Sequence, residues 1–184
     1  AMRLEVKEGI HGCTLINDTY NSDINSLDIA LDFMNRRPDQ NGQRRTLILS
    51  DIYQSGETQQ RLYEKVSELA LNRGVQKFIG VGRGLKDNST EIHIPECHFF
   101  DDVASFTASE VFRNLHDELI LVKGSRTFGF DYIAELLEQK VHETILEVNL
   151  NALVDNFNYY RSLMKPETKL VCMVKADAYG AGAV

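Results

Sequence analysis

The sequence predicts an α/β protein with a mostly parallel, doubly wound sheet. Short apolar runs alternate with amphipathic segments from the N-terminal region as far as Gln139, which is the pattern of strands joined by crossover helices. Several of these runs are apolar throughout, as in strands that are buried on both faces. Polar turns follow the runs, at the edge of the sheet where ligands bind in this class.

Composition limits the classes of protein. The chain has 184 residues, 43% of them hydrophobic and 26% charged, as in a soluble globular protein. Its net charge of -7 argues against a nucleic-acid-binding protein. The cysteines Cys13, Cys97 and Cys172 are odd in number and far apart, which indicates reduced core residues of a cytosolic protein. No apolar run approaches the roughly 20 residues that span a bilayer.

The first half alternates strand and helix patterns. Alternating polar and apolar residues indicate a hairpin at the start of the chain. A polar turn then opens a helix that ends before Pro38, and the clearest amphipathic helix ends before Gly74. The predicted elements are strands at Arg3–Lys7 and Cys13–Ile16, a helix from about Ser26, a strand at Thr46–Leu49 and a helix at Thr58–Asn72.

The second half continues the alternation as far as Gln139. It is predicted to contain strands at Val75–Val81, Glu91–Ile94, Cys97–Phe100 and Glu118–Val122, and helices from Asp101 to about Leu115 and at Tyr132–Gln139.

A new pattern begins at Glu143. A strand at Thr144–Leu150, a helix with Asn151 as its N-cap and a buried strand at Lys169–Val174 are predicted. We therefore expect a boundary near Val141–Glu143, which divides the chain into domains 1–142 and 143–184.

Three polar loops follow strands and are expected to share one crevice at the sheet edge. They carry Asn17–Asp23, Ser50–Glu57 and Lys123–Arg126. Two interpretations remain open for the first loop, a ligand site or an Asn/Asp-rich turn capped by Asn25 or Ser26. The basic residues of the third loop are either ligand contacts or solvated charges.

Three motifs resemble the Mur ligases of peptidoglycan synthesis. Ile16–Ser26 resembles the D-D-T-Y-N-A-N-P-D-S signature of the family's C-terminal domain, Leu47–Glu57 its V-L-G-D-M-x-E-L-G-E element, and Leu121–Arg126 its L-V-K-G-S-R element. The match is closest to members that add D-alanyl-D-alanine to UDP-N-acetylmuramoyl-tripeptide. The departures from these motifs are Asn17 for aspartate, Ser22 for alanine, Asp23 for asparagine, Ile24 for proline and Ser50 for glycine.

This resemblance implies a Rossmann-like domain that swings over a central ATP-binding domain. ATP and Mg²⁺ would be held mainly by that domain, since no G-x-x-x-x-G-K-[ST] loop occurs in these residues. The implied site residues form two groups, with Asp18, Tyr20 and Asn21 facing ATP and Lys123, Ser125 and Arg126 near the incoming dipeptide.

The C-terminal segment resembles another family. Leu146–Asn156 and the V-K-A-D-A-Y-G-A-G run at Val174–Gly182 are similar to the start of alanine racemase, a (β/α)8 barrel that binds pyridoxal 5'-phosphate. The resemblance implies that Lys175 holds this cofactor as a Schiff base and that Tyr179 lies beside its phosphate. Asp177 and Ala181 replace the family's usual asparagine and histidine.

One explanation covers both resemblances, a fragment that spans the joint of a fused ligase–racemase. The chain begins Ala1-Met2 and stops at Gly182-Ala183-Val184, which we interpret as an excised piece of a cytoplasmic enzyme. The fragment itself is expected to be inactive. The parent would use ATP, the muramoyl tripeptide, D-alanyl-D-alanine and alanine, with neither nucleic acid nor membrane as a partner, and its racemase part would be a homodimer.

A stand-alone α/β module remains the alternative. It would bind a nucleotide or a dipeptide and use its C-terminal segment as a dimerisation arm. A metal centre is not expected under either reading, because the histidines lack metal-ligand spacing.

Overall fold

The computed structural model describes residues 4–37, 42–53, 56–139, 148–175 and 178. The chain divides into two compact units, Ala1–Lys140 and Val141–Val184. The expected domain boundary near Val141–Glu143 lies outside the described residues. So does most of the strand predicted at Thr144–Leu150, and Leu150 begins a helix instead.

The first unit is built on a six-stranded sheet. Its strand order is β1-β2-β6-β3-β4-β5, with β1 antiparallel to β2 and the other neighbours parallel. The strands are β1 (Glu5–Glu8), β2 (Thr14–Asp18), β3 (Arg44–Ser50), β4 (Lys77–Val81), β5 (Glu96–Phe100) and β6 (Glu118–Lys123).

Helices cover both faces of this sheet. Those of the first unit are α1 (Ile24–Asn35), α2 (Gln59–Asn72), α3 (Arg83–Asp87), α4 (Val103–Thr107), α5 (Glu110–Arg113) and α6 (Phe130–Leu137). Short 3-10 turns lie at Ile10–Gly12, Ser89–Glu91 and Arg126–Phe128.

The two faces of the sheet carry separate cores. On one face, Leu47 and Leu49 of β3 pack with buried residues of α1 and α2, whereas Ile48 belongs to the core on the other face. Phe106 of α4 and Phe130 of α6 complete that second core. Successive residues of a strand point to opposite faces, so an entirely apolar run such as Leu47–Leu49 requires helices on both sides. The predicted doubly wound, mostly parallel sheet is confirmed.

Two predicted elements in the second half were wrong. The helix predicted from Asp101 to Leu115 is two short helices, because the Ser109 hydroxyl accepts the Phe112 N–H at 3.2 Å and starts α5 as a new helix. The strand predicted at Glu91–Ile94 is absent: a 3-10 turn ends at Glu91 and an irregular segment follows. Its two isoleucines are buried in the core, so burial without strand pairing produced the apolar alternation.

A charged cluster lies at the amino ends of β3–β6. Lys77 Nζ is 3.2 Å from Glu118 Oε1, and both side chains are buried. Arg44 contacts Glu118 at 3.1 Å and Glu96 at 2.5 Å, and the Thr46 hydroxyl donates to Glu118. This cluster is at the opposite edge of the sheet from the polar loops.

The second unit contains one described helix, α7 (Leu150–Ser162). Its N-cap is Asn149, whose Oδ1 accepts the Ala152 N–H at 3.1 Å, rather than the predicted Asn151. The buried strand predicted at Lys169–Val174 is absent, and Val171 is 91% exposed. A strand needs hydrogen-bonded neighbours, and the described residues of this unit supply none.

Three further features of the described residues concern the cysteines, membrane spans and metal ligands. Cys172 is exposed and Cys97 half-buried, so only Cys13 is the core cysteine expected. Over the ranges that the structure describes, no helix combines the length and apolarity needed to cross a bilayer, and no cluster of His, Cys, Asp and Glu suits a metal ion.

Candidate functional site

The carboxyl ends of β2, β6 and β3 bring the polar loops together. Because β6 inserts between β2 and β3, Asp18 pairs in register with Lys123, and Leu49 of β3 also pairs with Lys123. The loops that leave these three strands therefore start at one edge of the sheet, as predicted.

The turn after β2 ends in a helix cap. Asp23, not Asn25 or Ser26, is the N-cap of α1: its carboxylate accepts the Ser26 N–H at 2.9 Å and the Ser26 hydroxyl at 2.7 Å. Asparagine and aspartate cap helices equally well, so this departure from the family motif preserves the helix start. Burial raises the pKa of Asp23, but the hydrogen bonds from Ser26 and the charge of Lys123 outweigh it and hold the pKa below its usual value.

Lys123 lies beneath this turn and is fully buried, with 0% exposure. Its ammonium group donates a hydrogen bond to the carbonyl of Asn21 and forms an ion pair with Asp18 Oδ2 at 3.0 Å. Asp18 is itself only 3% exposed. The structure therefore pairs the two charges, and Lys123 is also hydrogen-bonded to the backbone of the turn.

Above this buried pair, Tyr20 and Arg126 form an accessible surface. The guanidinium carbon of Arg126 lies 5.4 Å from the centre of the Tyr20 ring, which is 55% exposed. Such a contact between cation and ring is attractive. A pocket of about 150 Å³ opens beside it. Its lining consists of Glu5, Asn17, Thr19, Tyr20 and Arg126.

Three further polar residues of this edge differ in their exposure and in their hydrogen-bond partners. The Asn17 Oδ1 atom is buried and has no hydrogen-bond partner among the described residues. Asn21 is exposed at the surface of the turn. Ser125 is half-buried, and its hydroxyl shares a hydrogen bond with the Thr127 hydroxyl. Asn17 and Asn21 thus bring amide groups to the site.

The loop after β6 is also held from the side of β3. Phe128 stacks on Tyr53, with ring centres 5.6 Å apart and planes at 27°. Arg126, in the same 3-10 turn, contacts Tyr20 on the side of β2. One short turn therefore spans the ends of three strands.

Asp51, directly after β3, accepts hydrogen bonds from backbone N–H groups of α3. Its carboxylate accepts the N–H groups of Leu85 at 2.7 Å and Gly84 at 3.0 Å. The Tyr63 hydroxyl lies 3.4 Å from the same carboxylate. Burial, with a smaller contribution from the Asp51 charge, raises the pKa of Tyr63. Sequence reasoning missed this group, although Asp51 directly after β3 and the glycines after β4 were the available signals.

In the second unit, Lys175 is exposed and Tyr179 lies outside the described residues. Met173 and Val174 next to Lys175 are exposed as well. A pyridoxal phosphate site encloses its lysine and supplies donors to the phosphate. The described residues around Lys175 do not fit that requirement, so no catalytic step can be derived through this cofactor.

Comparison with known proteins divides the chain in the same way. The family model "Alanine racemase, N-terminal domain" matches residues 148–184. A broad specificity amino-acid racemase of Vibrio vulnificus is 34% identical over 73 residues, which cover 35% of this chain and 18% of the racemase.

The larger part of the chain matches a ligase. UDP-N-acetylmuramoyl-tripeptide–D-alanyl-D-alanine ligase of Escherichia coli is 26% identical over 126 residues, which cover 68% of this chain and 27% of the ligase. The crystal structure of MurF from Acinetobacter baumannii has a TM-score of 0.59 at 20% identity, over 76% of this chain and 31% of MurF.

The chain thus spans about a quarter of the curated ligase and a smaller share of the racemase. The structural likeness covers 76% of the chain, and the racemase family model extends to residue 184. The chain joins a segment homologous to MurF ligases, with the fold of their C-terminal domain, to a segment homologous to the N-terminal domain of alanine racemases.

Proposed function

We propose that the first unit closes a ligase active site over ATP and D-alanyl-D-alanine, whereas the second unit is the opening segment of a racemase barrel. The parent would then be a bifunctional cytoplasmic cell-wall enzyme that links the dipeptide to UDP-N-acetylmuramoyl-tripeptide and racemises alanine. The observation that carries the ligase part is the exposed Arg126–Tyr20 pair beside its pocket, at the edge of the sheet where β2 and β6 end.

The reaction class explains what these residues contribute. Ligation in this family proceeds through an acyl phosphate that the amine of the incoming dipeptide attacks. Catalysis therefore depends on holding anionic reactants together and on stabilising phosphate charge. The described loops contain no phosphate cradle of the P-loop type. They are suited to positioning, and phosphoryl chemistry is left to another domain.

The structure divides the expected ligand residues into two kinds. Tyr20 and Asn21 are exposed and can contact a nucleotide through a ring face and an amide. Arg126 presents a planar guanidinium group, which suits a carboxylate or a phosphate, and Ser125 lies next to it. Asp18 and Lys123 are buried beneath the turn, so we assign them no direct ligand contact.

The racemase part of the proposal rests on the family match and on the position of Lys175 in it. In a complete barrel the cofactor would supply the electron sink that racemisation of alanine needs. Lys175 is the residue that would hold it, with Tyr179 near its phosphate. In the chain of 184 residues this segment would be inactive.

The ligase proposal is tested by titrating ¹⁵N-labelled chain with MgATP and, separately, with D-alanyl-D-alanine. We expect weak binding, with amide shifts for Tyr20 and Asn21 under nucleotide and for Ser125 and Arg126 under dipeptide. The variant Arg126→Gln should lose the dipeptide response. Arg113→Gln is the matched control, since Arg113 is an exposed arginine paired with Glu110 at 2.6 Å.

Two other outcomes of this titration are informative. Shifts confined to residues away from the ends of β2 and β6 would refute the ligase proposal. Tight binding of nucleotide by the isolated chain would favour the stand-alone module, because a closing domain needs the rest of its site to bind strongly.

A further inference from the structure

Lys123 is the most completely buried charge at the candidate site. It ends β6, its exposure is 0%, and its ammonium group reaches sideways to the turn after β2. A lysine at this position could have pointed into solvent at the open edge of the sheet. Its actual direction requires an explanation.

Transferring an ammonium group out of water is strongly unfavourable unless hydrogen bonds and an opposite charge compensate. For Lys123 that compensation comes from the turn: the carbonyl of Asn21 accepts its hydrogen bond, and Asp18 pairs with it at 3.0 Å. Its charge also acts on Asp23, the N-cap of α1. The buried cation is therefore coupled to the beginning, middle and end of the turn.

The backbone on either side of Lys123 leaves little freedom. The Gly124 N–H donates to the carbonyl of Asp18 at 3.3 Å. A Cβ atom at Gly124 would overlap the ring of Phe130. The residue after Lys123 is thus held between β2 and α6.

We propose that Lys123 is a positioning residue that holds the Asn17–Asp23 turn, and with it Tyr20 and Asn21, in the conformation that faces the ligand. Lys123 does not contact the ligand. Turning its ammonium group outward would leave the Asp18 carboxylate buried and unpaired, which is strongly unfavourable. The identity of the ligand rests on the proposed function, but the positioning role does not.

The test compares the wild-type chain with Lys123→Met. The first readout is the pKa of the Asp23 carboxyl, followed by ¹³C NMR. The second is amide hydrogen exchange in residues 19–26. We expect the Asp23 pKa to rise, and exchange in the turn to accelerate by about tenfold or more, as for a locally opened segment. Exchange in Thr46–Leu49 of the central strand β3 reports global unfolding, so acceleration in the turn beyond that of β3 separates local loosening from global destabilisation.

Two further variants keep the test decisive. If Lys123→Met does not fold, the double variant Asp18→Asn/Lys123→Met removes both charges and should fold with the same loosened turn. Lys86→Met is the matched control, since Lys86 forms an exposed ion pair with Asp101 at 2.7 Å, and it should change neither readout. A folded Lys123 variant with the wild-type Asp23 pKa and wild-type exchange in the turn would overturn the positioning role.

The ligand is examined separately with MgATP as the probe. If the nucleotide shifts the amides of Tyr20 and Asn21 in the wild type, those shifts should weaken in Lys123→Met. Absence of any nucleotide response in the wild type would count against the proposed function. The positioning role would still be decided by the Asp23 titration and the exchange rates.

Discussion

The hydroxyl of Ser50 donates a hydrogen bond to the hydroxyl of Ser22 at 3.1 Å and so joins the end of β3 to the turn after β2. Ser22 in turn donates to the carbonyl of Asp51 at 3.3 Å. Both serines occupy positions where the Mur ligase motifs have alanine and glycine. Two departures from the motifs are therefore partners, and they connect two of the loops at the candidate site.

We expect Ser22→Ala and Ser50→Ala each to lower the free energy of unfolding by about 1 kcal/mol, the usual net value of a neutral hydrogen bond. The double variant should lose less than the sum, because the second substitution removes a bond that is already broken. Urea unfolding of the four proteins measures the coupling. Strictly additive losses would show that the two hydroxyls do not act as a pair.

The buried pair Lys77–Glu118 gives a second prediction. Lys77→Met leaves the buried Glu118 with Arg44 and Thr46 only, and should cost roughly 3 kcal/mol, as expected when one member of a buried ion pair is removed. Lys86→Met breaks the exposed pair with Asp101 and should cost below about 1 kcal/mol. Chemical denaturation compares the two, and equal losses would contradict the distinction between buried and exposed pairs.

Acid should destabilise the first unit through Asp23 and Glu96. Hydrogen bonding with His98, together with the charges of Lys77 and Arg44, outweighs burial and lowers the pKa of Glu96, and the pKa of Asp23 is lowered as well. A carboxyl group whose pKa is lower in the folded state stabilises the fold above its unfolded pKa. That stabilisation disappears as the pH falls through the folded pKa.

The loss should therefore begin near the ordinary values of 3.8 for Asp and 4.5 for Glu and grow below them. Asp23→Asn keeps the N-cap and removes its titration, so its unfolding free energy should depend less steeply on pH in this range. Thermal unfolding from neutral pH downward measures the slopes. A slope identical to that of the wild type would exclude Asp23 as a contributor.

Gly124 should tolerate no side chain. In Gly124→Ala the new Cβ atom would overlap the ring of Phe130, and such overpacking costs typically 1–3 kcal/mol. Phe130→Leu in the same chain should recover part of the loss, because the smaller side chain leaves room. Full additivity of the two destabilisations in denaturant unfolding would show that the loss has another origin.

The racemase segment should be inactive in this chain. Adding pyridoxal phosphate should produce no visible absorption band that alanine displaces, and Lys175→Ala should give the wild-type spectrum, since the described residues around Lys175 form no enclosed site. Absorption spectroscopy with and without alanine provides the measurement. An alanine-sensitive band that Lys175→Ala abolishes would contradict this expectation.

The local pattern of apolar and polar residues alone predicted most of the fold. The apolar run Leu47–Leu49 indicates a strand covered on both faces, and alternation of such runs with helices leads to a doubly wound sheet. The same pattern failed where burial was not accompanied by pairing, as at Ile92 and Ile94. It failed again at Lys169–Val174, whose apolar character indicates a buried strand although the described unit offers no partner strand.

The location of the candidate site could be predicted from the sequence, because ligand-binding side chains gather where parallel strands end. The sequence by itself determined that Asp18, Tyr20, Asn21, Lys123 and Arg126 lie at strand ends. Only the tertiary structure decided which of them reach solvent. Strand β6 inserts between β2 and β3, so Lys123 comes into register with Asp18 although the two are distant in the chain. Tyr20 and Arg126 stay exposed. Asp18 and Lys123 can be buried, because a buried charge is stable only beside a partner.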